Sequence, residues 1–277
     1  MKGGFGSPTS TEPGNAGTEF VNLLAPVKGS FDGYDNSLPC SKQTIPLPQT
    51  FRDAMSIREE VYAAQGVPLE AEFDDDDARA WHWVAFASVA SHSRSPPKSL
   101  RAVSSNTPAD DARRASATAV RVPVATIRLI PPPHGVDPYH TSAAEPQEPY
   151  IKLGRLAALP AYRGLGLAKL LINTALDFAT RNPDKIYSPP SPTALEKAQM
   201  QGGHREKEIT WQGLVMIHAQ VELMGMWEKQ GFSEELRVQG EVEIAKQDRW
   251  MEEGIEHVGM WKRLGVERRK RLSLSEG

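Results

Sequence analysis

A chain of 277 residues, 39% hydrophobic and 24% charged, is long enough for one large core or for one ordinary domain carrying long insertions. Its net charge of −3 and pI near 6.2 exclude a global basic field that would draw it to nucleic acid or to an anionic membrane. The single cysteine, Cys40 in the polar loop NSLPCSKQ, excludes an intramolecular disulfide and a Cys-rich metal site; no metal is expected, and a reducing, cytoplasmic setting fits, with the nucleus left open.

In chain order, residues 1–17 are Gly, Ser, Thr and Pro with no apolar h-region, and read as a disordered leader rather than a secretory signal. A first strand is expected over 20–27 and a helix over 48–64, where Phe51, Ala54, Met55, Arg58, Val61 and Tyr62 recur at helical spacing. The acidic run Glu70, Glu72, Asp74, Asp75, Asp76 and Asp77 follows. Residues 81–89 (WHWVAFASV) read as a strand. Residues 119–130 read as a β-branched strand pair or one long strand, stopped by Pro131, Pro132 and Pro133. The next strand is expected over 150–158. An amphipathic helix over 164–181 carries Leu167, Leu170, Leu171, Thr174, Ala175 and Phe178 as its apolar stripe. Residues 214–219 read as a strand, 220–229 as a short helix capped near Gly231, and 236–245 and 256–261 as two last strands.

The Ser/Pro-rich stretches 91–118 and 182–208 are too long for ordinary loops and read as insertions into a smaller fold. The basic run 263–271 leads into a polar tail over 266–277, read as solvated. No apolar run is long enough to cross a bilayer, so neither a membrane nor nucleic acid is an expected partner. The outcome is one α/β domain over 18–265, because strands and helices are mixed and a helix opens straight after a strand.

The informative segment is LAALPAYRGLGLA, residues 156–168. A strand ends, a short loop follows, and Arg163, Gly164 and Gly166 open a helix. Glycine lets the backbone approach a ligand closely, and the free N–H groups of a first helical turn suit a pyrophosphate. A tight turn that merely needs glycine is the plainer alternative. The P-loop pattern fails because Gly166-Leu-Ala-Lys169 lacks Gly-Lys-Ser/Thr. The dinucleotide pattern fails for want of a third glycine and a downstream acid.

RGLGLA resembles the acyl-CoA pyrophosphate motif of the GNAT superfamily, Arg/Gln-x-x-Gly-x-Gly/Ala, through Arg163, Gly166 and Ala168. LAALPAY resembles the strand before that motif, and WEKQGF (227–232) the end of the next helix. SIREEVYAAQGVPLEAEFDDDDARAWH (56–82), MIHAQ (216–220) and MEEGIEHVGM (251–260) resemble a branch of small, mostly bacterial, predicted N-acetyltransferases. The leader, the two insertions and extra sequence around 239–249 depart from that branch.

The resemblance implies an α+β GNAT fold, with a mixed, mostly antiparallel sheet splayed at the cofactor slot and flanked by helices. It implies acetyl-CoA as co-substrate. Leu156, Ala157 and Ala158 would offer backbone groups to the pantetheine, and Arg163, Gly164, Leu165, Gly166, Leu167 and Ala168 would donate N–H groups to the pyrophosphate. Gln220 and Trp227 stand where many members have a pantetheine-binding Asn and a general-acid Tyr; an indole N–H cannot replace that phenol. His218 is the first candidate for the base that takes the amine proton, with a structural histidine as the alternative. Glu222 and Glu228 are weaker candidates, and packing is expected of His82 and His257. The acidic run suits a cationic acceptor or, more plainly, a solvated loop.

The expected activity is N-acetylation of a small-molecule primary amine: a polyamine, an amino sugar or an amino-acid-like amine. A CoA-binding sensor that has lost catalysis and a protein lysine acetyltransferase are the alternatives. A homodimer is compatible with all three.

Overall fold

The computed structural model describes residues 20–27, 31–90, 119–135, 146, 148–187 and 210–266. The expected leader, the first insertion and nearly all of the second lie outside the described residues. The elements are β1 (Val21–Leu24), α1 (Gln49–Ala63), β2 (Trp81–Ala90), β3 (Ala119–Ile130), β4 (Ile151–Ala158), α2 (Leu167–Arg181), α3 (Pro183–Ile186), β5 (Leu214–Gln220), α4 (Met224–Glu228), β6 (Leu236–Val238), β7 (Glu241–Ile244), β8 (Trp250–Glu252) and β9 (Ile255–Arg263).

Seven strands pair in the order β1-β2-β3-β4-β5-β9-β8. Every neighbouring pair is antiparallel except β4–β5. Alternation along the strands sorts the two faces. Trp81, Trp83, Ala85, Ile127, Leu153, Val215 and Ile217 pack with Leu171, Ile172 and Ala175 of α2 in the main core. Val84 and Ala157 turn the other way, under Ala54, Ile57 and Val61 of α1. Beyond α1 that second face is covered by the β6–β7 hairpin, where Leu236 and Ile244 pack on Leu214, Met216 and Trp261.

Residues 119–130 form one long strand, the second of the two forms expected. Several other expectations need correction. The single strand expected over 236–245 is a separate hairpin, because Gln239 (φ 53) and Gly240 (φ 90) make a turn with both residues left-handed. Gln220 ends β5 rather than opening a helix, and a 3-10 turn over Val221–Leu223 precedes α4. α2 starts at Leu167, because Gly166 at φ 79 cannot be part of a right-handed helix. Its buried stripe is Leu171, Ile172, Ala175, Leu176 and Ala179, whereas Leu170 is exposed. Residues 183–186, expected within an insertion, form α3 and bury Ile186 in the main core. Strand β8 had no counterpart in the sequence reading.

The feature that makes a site is the partial pairing of β4 with β5. Only Ile151, Lys152 and Leu153 pair with Val215, Met216 and Ile217. Beyond them β4 stays with β3 and β5 stays with β9, so the sheet forks. The splay that the resemblance implied lies here: Leu156, Ala157 and Ala158 are past the last β4 residue paired with β5, and on β5 the fork opens at His218.

Candidate active site

The β4 wall of the fork carries a bulge. Thr126 pairs with Ala157 and Arg128 with Gly154, so β4 has one residue more than β3 between those points. Arg155 takes the strain at φ 51, a conformation that non-glycine residues seldom adopt. Its guanidinium is anchored: Nη2 donates to the Ala71 carbonyl at 2.9 Å and to Asp74 at 3.1 Å. Two further side chains hold this backbone. The Tyr62 hydroxyl donates to the Leu156 carbonyl at 3.3 Å, and Arg163 Nε donates to the Ala158 carbonyl at 3.1 Å. Ala157 is buried under α1 and Ala158 packs against the main core, so both small side chains serve packing as well as close approach.

The acidic run proves to be neither a cation trap nor a solvated loop at three of its positions. Glu72 and Asp77 are buried, and with Asp74 they pair with Arg58, Arg128 and Arg155. Arg58 spans from α1 to Asp77 at 2.8 Å and to Glu72 at 3.4 Å. Arg128 of β3 reaches Asp74 at 2.6 Å and Asp77 at 2.8 Å. Burial alone would raise the carboxyl of Asp77; Arg128 and Arg58 outweigh it and hold that group far below the usual range. His82 packs beside them, donating from Nε2 to the Asp77 carbonyl at 2.9 Å, and burial pushes its pKa down to about 4. It is a neutral packing histidine, as its pattern suggested.

At the far end of β4, a 3-10 turn over Pro160–Tyr162 leads to Gly164 (φ 77) and Gly166 (φ 79). A Cβ built on either would meet no atom within 4 Å. Packing therefore does not require glycine here; the left-handed backbone does. Gly166 leads directly into the first turn of the 15-residue α2, which contains no acidic side chain. Arg163, Gly164, Leu165 and Gly166 are exposed, and Leu167 and Ala168 half-buried. An open, positively polarised helix start at the end of a forked strand can accept an anionic group.

The β5 wall is different. His218, 22% exposed, lies at the first unpaired position, with Nδ1 3.7 Å from the carboxylate of Glu252 on β8. Trp250 meets the imidazole edge-on at 4.8 Å and donates its indole N–H to Glu252 at 3.3 Å. Burial by itself would raise the Glu252 carboxyl, but the neighbouring His218 and Trp250 bring it down to about 2. Gln220 donates to the side-chain oxygen of Gln65, just past α1, at 3.1 Å. Trp227 is buried in the main core, edge-on to Phe232 at 5.2 Å. His257 stacks beside Trp250. Tyr62, Gln65, Arg155, Trp250 and Glu252 were not given site roles from the sequence. Tyr62 left a signal as the polar end of the apolar stripe of α1, and Gln65 and Glu252 fall within the segments 56–82 and 251–260 that carry the family resemblance.

Residues 68–188 match the model of the acetyltransferase (GNAT) family. Over that range the chain is similar to GNAT acetyltransferases. The matched range holds β2 to β4, the glycine loop and α2, while the β5 wall follows it. None of the curated proteins matches the chain. Among solved structures, an acyl-CoA N-acyltransferase from Pseudomonas aeruginosa is 18% identical over 78% of this chain and 92% of its own, with a TM-score of 0.38. Escherichia coli ElaA is 16% identical over 78% and 93%, at 0.40. FeeM, an N-acyl amino acid synthase from uncultured soil microbes, is 14% identical over 78% and 91%, at 0.39. The mixed, mostly antiparallel seven-stranded sheet flanked by helices matches the GNAT fold. Among the described residues no cluster of three or more His, Cys, Asp or Glu side chains could hold a metal, and no helix is long and apolar enough to cross a membrane.

Proposed function

We propose that this chain transfers the acetyl group of acetyl-CoA to a primary amine of a small molecule, such as a polyamine, an amino sugar or an amino-acid-like amine, within a ternary complex. The carrying observation is the fork between β4 and β5, which leads from His218 at its apex toward the glycine-led start of α2. The pyrophosphate would lie on the N–H groups of 163–168. The pantetheine would run along Leu156–Ala158, with Gln220 on the opposite edge. In the reaction the amine nitrogen attacks the thioester carbonyl carbon, the C–S bond breaks, CoA departs as the thiolate, and the amine proton passes to the His218 imidazole directly or through a water. No phenol stands at 227 to protonate the thiolate, which is a tolerable leaving group without that help. Because Glu72, Asp74 and Asp77 face arginines, they do not argue for a cationic acceptor.

Calorimetric titration with acetyl-CoA, followed by thiol release against a panel of amines, tests this. Binding with turnover on at least one small amine is expected. His218→Ala should then lower kcat by the order of 10²–10⁴-fold typical of a lost general base. An unchanged pH–rate profile in that variant clears His218 of the role. A second reading, a CoA-binding sensor, draws on the core position of Trp227, and binding without turnover on every amine would establish it.

A further inference from the structure

The β8–β9 hairpin, which holds the MEEGIEHVGM segment, brings the carboxylate of Glu252 to the fork. Glu253 (φ 47) and Gly254 (φ 78) fold the chain back, so that Trp250 pairs with His257, and His257 with Gln220 at the end of β5. Trp250 and Glu252 thereby come to the apex of the fork, against His218. We propose that Glu252 is the positioning residue of the acetyl transfer: its carboxylate orients the His218 imidazole through Nδ1 and stabilises the imidazolium formed when the ring takes the amine proton at Nε2, an atom that the surrounding side chains cover. The inference rests on the reading of His218 as the base.

Three observations carry it. The Nδ1-to-carboxylate separation of 3.7 Å is within ion-pair reach but beyond ordinary hydrogen-bond length, so it can tighten once the imidazole is charged. The Trp250 indole holds both partners, with its ring against the imidazole and its N–H on the carboxylate. A carboxylate at about 2 is a poor proton acceptor near neutral pH, which makes Glu252 the orienting anion and leaves the proton to the imidazole. The other ionisable ring at this corner is His257, which stacks on Trp250 and turns Nδ1 to the Ile255 carbonyl. Glu256 faces Arg249 at 3.6 Å, and Gln65 and Gln220 are uncharged.

The test uses the full chain and two substitutions. Glu252→Gln keeps the shape and an acceptor for the Trp250 N–H but removes the charge; Glu252→Asp keeps the charge on a shorter stem. In the first arm, NMR titration follows the imidazole signals of His218 in the protein without substrate. Removing the neighbouring anion should move the His218 midpoint to lower pH in Glu252→Gln, and Glu252→Asp should restore it in part. In the second arm, thiol release gives kcat and KM against pH. Glu252→Gln should lower kcat about tenfold, less than loss of the base itself, with KM for acetyl-CoA unchanged and the acidic limb displaced to lower pH. An unmoved NMR midpoint overturns the pairing whether or not the protein turns over any amine. A displaced midpoint with an unaltered rate profile overturns the catalytic part. Wild-type protein inactive on every amine removes the underlying reading instead, and the first arm still decides whether the pair exists.

Discussion

The β4 wall of the fork is held by charges paired inside the protein, whereas the β5 wall keeps its ionisable groups at the apex. On β4, three arginines and three carboxylates tie α1, the acidic loop, β3 and the bulge into one unit, and the strained Arg155 sits at its edge. On β5, His218 and Glu252 are each partly exposed and stand 3.7 Å apart. Buried ion pairs cost much desolvation and are strongly disrupted when one member is lost, which makes them suited to fixing a shape. A pair that is only partly covered is less costly to charge or discharge than a fully buried one, which suits chemistry. The difference teaches that the number of acidic residues near a site says little about its electrostatics until their partners are known.

The hardest way to break the comparison is Asp77→Ala. It leaves Arg58 and Arg128 short of their shared carboxylate and should cost about 3–5 kcal/mol in urea unfolding; a loss under about 1 kcal/mol would show that the network is not what holds the β4 wall. The pH dependence of stability comes next. His82 titrates at about 4 when folded against 6.5 as its ordinary value, so between those values the unfolded chain binds a proton that the folded chain does not. Stability from this group is complete above 6.5 and is lost as pH falls toward 4, by about 3 kcal/mol. Thermal melts across that window should show the slope, and His82→Gln should flatten it.

Gly166→Glu sharpens the comparison at the cofactor end. The protein should stay folded, since nothing lies within 4 Å of the new Cβ, although the left-handed φ adds about 1–2 kcal/mol of strain. CoA affinity should fall at least about 100-fold, or about 2.7 kcal/mol, because a carboxylate would stand where the diphosphate binds. Near-normal affinity by calorimetry would remove the loop from the CoA site. The smallest effect is expected of Tyr62→Phe. It removes one long hydrogen bond to the Leu156 carbonyl, for about 1 kcal/mol of stability or less, and should alter kcat only if that carbonyl must be fixed for transfer.

The glycine loop and the strand before it were legible because local chemistry specifies them. A left-handed residue followed by a helix start needs glycine whatever the rest of the chain does. α1 was legible from its periodicity, and so were the strands of the main sheet except β8. The face of α2 was not. Leucines at 167, 170 and 171 are adjacent on the helix surface, and only the sheet decides that Leu171 and Ile172 are covered while Leu170 is exposed. The hairpin over 236–244 was read as one strand because its turn residues, Gln239 and Gly240, interrupt β-prone sequence only briefly.

From the sequence alone came the fold class, the place of the glycine-led helix start and the candidacy of His218, since each depends on residues close together in the chain. Only the tertiary structure decided the destination of the acidic run and the partner of His218. Arg58, Arg128 and Arg155 come from α1, β3 and β4, and Glu252 lies 34 positions after His218 on a three-residue strand. Ionic partners so far apart in sequence leave no spacing to read. A charge acquires its meaning from the low-dielectric neighbourhood that folding builds around it.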